Sequence, residues 1–179
     1  MSKMTAERCM APQLKRTFLI VLPITLGGIL LDQLTKVLAI LHLKDQGPVT
    51  CIPGILQLHY AENTGAAFSM LNGQRYFFIG LTVLVLAIVT WILWKGLLKN
   101  AFGYCALALC LSGTIGNFID RLVREYVVDL FEPTFISFAI FNVADICLTI
   151  GAILLAVYLL FFHEDRPAKK TAEQPSSDL

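Results

Sequence analysis

Four apolar runs of about 20 residues or more leave this chain few ways to fold. They cover 17–43, 76–94, 101–119 and 141–162. A helix of about 20 residues rises about 30 Å, the thickness of a bilayer's hydrocarbon core. Backbone polar groups in lipid must be satisfied within the chain itself, so each run is expected to be helical. Hydrophobic residues make up 56% of the 179 residues and charged ones 15%, with a mean hydropathy of +0.70. A soluble domain runs near half apolar and about a quarter charged. The expectation is an α-helical integral membrane protein. A four-transmembrane-helix bundle would occupy 17–162, between an N-terminal segment 1–16 and a polar, disordered tail 163–179. The first run begins after basic residues, as a secretory signal does. It is too long for one, carries Asp32 and Lys36, and is followed by no small-residue cleavage site.

Basic residues set the expected direction. Lys3, Arg8, Lys15 and Arg16 precede the first run, Lys95 and Lys99 separate the second and third, and Arg166, Lys169 and Lys170 follow the fourth. Nine of the 14 Lys and Arg thus fall on one side, which the positive-inside rule assigns to the cytoplasm together with both termini. Segments 44–75 and 120–140 then face outward. In the first, Ile55-Leu56-Gln57-Leu58-His59-Tyr60 partly alternates, which predicts a short strand. Asn63-Thr64-Gly65 is a turn signal, and Ala66-Ala67-Phe68-Ser69 is expected to return as a second strand. A small extracytoplasmic β-sheet at the outer interface follows. Segment 120–140 mixes aromatic and charged residues and is expected to lie partly along the membrane surface.

A net charge of +1 gives no reason to expect a nucleic-acid partner. Cys9, Cys51, Cys105, Cys110 and Cys147 form no CxxC pair, and His42, His59 and His163 belong to no HExxH. No metal or other cofactor is expected. No serine or cysteine has an evident histidine partner for nucleophilic catalysis.

The ionisable residues gather at one depth. Counting about 1.5 Å per residue from position 17, Asp32 lies about 22 Å up the first helix and Lys36 about 28 Å. Asp120 lies about 28 Å up the third, with Arg121 beside it. Asp145 falls in the first turns of the descending fourth helix, and Asp129 in the connection before it. Charges at such depth are costly, face the bundle interior and mark function. Asp32 and Lys36, spaced i,i+4, share a helix face and can pair, either as a structural bridge or as part of a site. Asp120 and Arg121 read either as site residues or as a solvated rim. Asp129 lies in Val127-Val128-Asp129-Leu130-Phe131 and Asp145 in Phe141-Asn142-Val143-Ala144-Asp145-Ile146, both apolar surroundings. Acids so placed have raised pKa values, and two held together can share one proton. By residues alone the pair suits general acid–base catalysis, ion binding or helix packing. The Gly113-Thr114-Ile115-Gly116 stretch predicts a close helix contact or a local kink.

The same residues form an ordered set. Asp32-Gln33-Leu34-Thr35-Lys36 comes first, then Glu62-Asn63-Thr64-Gly65-Ala66-Ala67-Phe68-Ser69 and Gly116-Asn117-Phe118-Ile119-Asp120-Arg121. Val127-Val128-Asp129-Leu130-Phe131 and Phe141-Asn142-Val143-Ala144-Asp145 complete it. From about residue 17 to 162 the chain resembles the lipoprotein signal peptidases, the bacterial signal peptidase II family. The resemblance implies a metal-independent aspartyl endopeptidase of the inner membrane. It would cut a prolipoprotein just before a diacylglyceryl-modified cysteine. It further implies that Asp129 and Asp145 are catalytic, and that Asn63, Asn117, Arg121 and Asn142 line the site. Asp32, Lys36, Glu62 and Gly65 would support it. Membrane phospholipid is an expected partner, and a monomer the expected state. Ile146 departs from the serine expected there, and Thr114-Ile115 from an Ala-Leu-like pair. Two other readings are a cation-coupled transporter, for which neither an inverted repeat nor inner-leaflet polar groups are visible, and a non-catalytic scaffold.

Overall fold

The computed structural model of the chain describes residues 15–65 and 71–162. Among these, four helices are long and apolar enough to cross a membrane: α1 (Thr17–His42), α2 (Arg75–Lys95), α3 (Ala101–Val123) and α4 (Val143–Phe161). Their bounds fall within a few residues of the apolar runs. The first five residues of α1 form a π turn. Pro23 follows at once and lacks the N–H that would continue the regular ladder, so the backbone widens there. α2 ends at Gly96, whose φ of +62° lets the chain reverse while its N–H reaches the Leu93 carbonyl. α3 begins at Asn100, whose side chain accepts from the Gly103 N–H at 3.1 Å.

α3 is the centre of the bundle: 56% of its spanning window is buried, against 11–17% for the other three. Those three expose Phe, Leu, Ile and Val side chains that only hydrocarbon would cover. Helices in lipid gain no hydrophobic drive to associate, so close packing of small residues matters. The glycines of the 113–116 stretch provide it. A Cβ on Gly113 would collide with the Ala144 carbonyl oxygen of α4, and one on Gly116 would lie 2.6 Å from Asp32 Oδ2. At the end where α1 and α3 begin, Val21, Val89, Leu98, Tyr104, Leu107, Ala108 and Tyr158 form an apolar core.

The end of the bundle opposite that core carries a three-stranded antiparallel sheet ordered β1 (Val49–Ile52), β2 (Leu56–Asn63), β3 (Val127–Pro133). The predicted strand at 55–60 is therefore present and runs on to Asn63. Its partners come from 49–52 and from the 120–140 segment; positions 66–69, expected to pair with it, lie outside the described residues. Within segment 120–140, α3 continues to Val123 and the chain then turns back as β3. A register shift between Leu58 and Ala61 sets Ala61 opposite Asp129 and Asn63 opposite Val127. Asn63 and Asp129 thus lie diagonally on one face. The other face buries Val128 and Leu130 against Ala39 and Leu43 of α1. That contact seats the sheet on the bundle.

Gly113→Ala is expected to destabilise the protein by about 1–3 kcal/mol, because backbone of α4 must move to admit the methyl. Gly27→Ala, with nothing within 4 Å of the new methyl, should be neutral or stabilising. Thermal unfolding of the two variants in detergent measures the contrast.

Candidate active site

Lys36 of α1 is fully buried, and an ammonium has three N–H donors and no acceptor. Its three partners are Asp32 Oδ2 at 2.9 Å, Asp120 Oδ2 at 3.0 Å and Asn117 Oδ1 at 2.9 Å. The expected Asp32–Lys36 pair is therefore part of a larger cluster. Asp120 is not a solvated rim: it is fully buried and also accepts from the Val128 N–H at 3.1 Å and Gln33 Nε2 at 3.1 Å, and pairs with Arg124. Asp32 uses its second oxygen to accept the Ala144 N–H of α4 at 2.8 Å. An α1 carboxylate thereby satisfies an otherwise orphaned donor in the first turn of α4.

Asn142 is the N-cap of α4. Its Oδ1 accepts from the Asp145 N–H at 2.9 Å, and the Asp145 carboxylate accepts the Asn142 N–H at 3.1 Å, closing a capping box. This leaves Nδ2 of Asn142 to donate to Asp129 Oδ1 at 2.6 Å and to Asn117 Oδ1 at 3.2 Å. Asn117 must turn its oxygen toward Lys36, so its Nδ2 faces Asp145 Oδ1, at 2.7 Å. Asn63 is oriented similarly. Its Oδ1 accepts the Gly65 N–H at 2.9 Å, an Asx turn, and its Nδ2 donates to Asp129 Oδ2 at 3.0 Å. Both oxygens of Asp129 and both of Asp145 thus accept from oriented N–H groups.

Asp129 is 2% exposed. Burial, and then the negative charge of nearby Asp145, push its carboxyl up to about 7. Arg121 leans over the Phe78 ring at 4.6 Å and donates to the Gly65 carbonyl at 3.0 Å. Of the ten candidate residues, nine belong to this connected polar layer. Glu62 does not: it points to the opposite face of β2, where Lys44 lies 3.1 Å away and the Tyr60 hydroxyl 2.8 Å away. Those two partners hold its carboxyl below the usual range. Gln33 and Arg124 belong to the layer without having been singled out as site residues. The Asp120–Arg124 spacing of four was the available signal.

Two grooves meet at this layer. One, of about 470 Å³, runs between β3, residues 138–141 and the N-terminal half of α4, with Asp129 and Asp145 in its wall. The other, of about 480 Å³, runs down between α2, α3 and α4, past Thr82, Val89 and Leu107 to Leu155. Asn117, Arg121, Asp145 and Leu148 line both. Away from that junction the linings are mostly apolar.

The chain is similar to known proteins in sequence and in fold. Residues 24–161 match the family described as signal peptidase (SPase) II. The lipoprotein signal peptidase of Lactococcus lactis subsp. lactis (strain IL1403) is 42% identical over 150 residues, 83% of this chain and 98% of that protein. That of Streptococcus thermophilus (strain CNRZ 1066) is 46% identical over 129 residues, covering 72% and 84%. A bacterial membrane enzyme solved by the in meso method at 2.3 Å superposes with a TM-score of 0.77 at 32% identity, over 84% of this chain and 93% of that one. A second, solved at 1.9 Å, gives 0.73 at 33% identity, over 79% and 93%. The class is thus a multi-span membrane protease of bacterial type. Within that class, the chain belongs to the signal peptidase II family.

Lys36→Met is expected to cost about 3–5 kcal/mol, because Asp32 would be left buried without its cation and Asp120 with Arg124 alone. Lys36→Met combined with Asp120→Asn removes one charge of each sign and should recover part of that loss. Detergent thermal melts of both variants test the charge balance.

Proposed function

We propose that this chain is an aspartyl endopeptidase that removes the signal peptide from diacylglyceryl-modified prolipoproteins, cutting just before the lipidated cysteine. The observation that carries the reading is the placement of Asp129 and Asp145. They are held by the side-chain amide and the backbone N–H of Asn142; Asp145 lines both apolar grooves where they converge, and Asp129 lines the first. A scissile bond with an apolar arm on each side, signal segment and acyl chains, suits that junction.

Charge balance supports a single shared proton. The layer holds four carboxyl groups, Asp32, Asp120, Asp129 and Asp145, and three cations, Lys36, Arg121 and Arg124. One proton on the Asp129–Asp145 pair makes it neutral, and the raised position of Asp129 agrees. In the reaction, the ionised carboxylate takes a proton from water as the water oxygen bonds to the scissile carbonyl carbon. The protonated partner gives its proton to the carbonyl oxygen. From the tetrahedral intermediate, the newly protonated carboxyl gives its proton to the leaving amine nitrogen and the other, now ionised, carboxylate takes a hydroxyl proton as the carbonyl re-forms and the C–N bond breaks, which restores the singly protonated pair. Arg121 and the Asn63 and Asn142 amides orient the acids and the substrate backbone. Apolar walls exclude water and strengthen each of these interactions.

Membrane placement follows the positive-inside rule. Both termini lie in the cytoplasm, and the acid pair lies near the outer face of the bacterial inner membrane, at the depth of a lipid-anchored cysteine. The protein works as a monomer among phospholipids.

Asp129→Asn and Asp145→Asn are each expected to lower turnover of a lipidated precursor at least 1,000-fold with folding retained; full turnover by either rejects the mechanism. Activity should decline above about pH 7 as the shared proton is lost. Stability has the same sign. A carboxyl raised to about 7 when folded, from an ordinary 3.8, binds more protons folded than unfolded, so wild-type stability should fall as pH rises from 4 to 7. A pH series of kcat/KM and of Tm measures both. Chelator should leave cleavage unchanged, and a precursor without its diacylglyceryl group should be cut far more slowly.

A further inference from the structure

Helix α2 is the least buried span, yet its first turn grips the functional end of α3. The last carbonyls of a helix have no partner within it. Asp120 O is taken by the Arg124 N–H at 2.7 Å. The next two are taken from outside the helix by one side chain. Arg75 Nε–H donates to the Arg121 carbonyl at 2.7 Å, and Arg75 Nη2 donates to the Leu122 carbonyl at 3.0 Å. Its remaining nitrogen, Nη1, pairs with the Glu125 carboxylate. Glu125 is the residue where the chain leaves α3 for β3, with a φ of +72°, a region that costs a side-chain-bearing residue energy. One guanidinium therefore spans the whole turn between the helix carrying Asn117 and Arg121 and the strand carrying Asp129. Three residues further along α2, and so on the same helix face, Phe78 supports the Arg121 guanidinium from below at 4.6 Å. Arg121 is thus held through its backbone by Arg75 and through its side chain by Phe78. A planar, five-donor group does this where a lysine would not.

We infer that Arg75, which lies outside the sequence motifs of the site, is a positioning residue for the reaction. It sets the α3–β3 turn and with it the placement of Arg121 relative to Asp129. The inference rests on the acid-pair reading above and adds to it a residue that touches neither the acids nor the grooves.

The test is cleavage of a lipidated precursor by full-length protein in detergent, separating kcat from KM, with Tm measured alongside. Arg75→Gln is expected to lower kcat about 10-fold, since displacement of a site by an ångström or less is enough for that. KM should change less than about 3-fold. Arg75→Lys, which keeps the charge and at most part of the contact set, should fall between Arg75→Gln and wild type. In an Arg121→Lys background, Arg75→Gln should add less than about 2-fold, because its effect passes through Arg121. A lower Tm with kcat intact, or a full 10-fold loss added in the Arg121→Lys background, overturns the inference. If Arg75→Gln does not fold, Arg75→Lys decides by the same two criteria. Active Asp129→Asn or Asp145→Asn enzyme would instead overturn the acid-pair reading, and an additive Arg75 effect with those variants inactive would sink this inference alone.

Discussion

A buried ammonium with three acceptors organises the half of this protein that carries the sheet. Lys36 is fully desolvated, a state tolerated only because Asp32, Asp120 and Asn117 each stand about one hydrogen-bond length from it. Two of these come from α3 and one from α1, so the cation joins two helices. Its third contact also dictates chemistry. Since Lys36 can only donate, Asn117 must present its oxygen there and its NH2 group to Asp145. The second oxygen of Asp32 then caps α4. Three helices are brought into register by a cluster that reaches the acid pair through Asn117.

Fold and site consequently use the same hydrogen bonds. Asn142 is at once the N-cap that starts α4 and the donor that holds Asp129. Asp145 is at once the capping-box acid and one of the paired carboxylates. Lipid supplies no hydrophobic force between helices, so the bundle depends on small-residue contacts such as Gly113 against Ala144, and on this polar layer. The lower half of the bundle is apolar and ordinary by comparison.

Much of this was legible along the chain. The four apolar runs predicted the spans to within a few residues, because bilayer thickness and helix rise leave little freedom. Depth counting placed Asp32, Lys36, Asp120 and Asp145 in one layer. Depth counting also reached Arg121; family resemblance brought in Asn63, Asn117 and Asn142, which periodicity alone does not single out. Glu62 was grouped with them by its motif, but strand alternation turns it to the other face of β2. Strand pairing was less legible: β2 pairs with 49–52 and with 127–133, the latter over 60 residues away in sequence. Arg75 carried no signal, since an arginine at the start of an apolar helix reads as an interfacial anchor.

Sequence alone determined that the chain spans a membrane four times and that its charges share one depth, because both follow from local composition and a constant rise per residue. Tertiary structure decided which of those charges pair, which way each asparagine faces, and that β3 delivers Asp129 to the start of α4. Those choices are made by hydrogen-bond geometry between segments far apart in the chain, where a donor has one place to go only after every neighbour has been set.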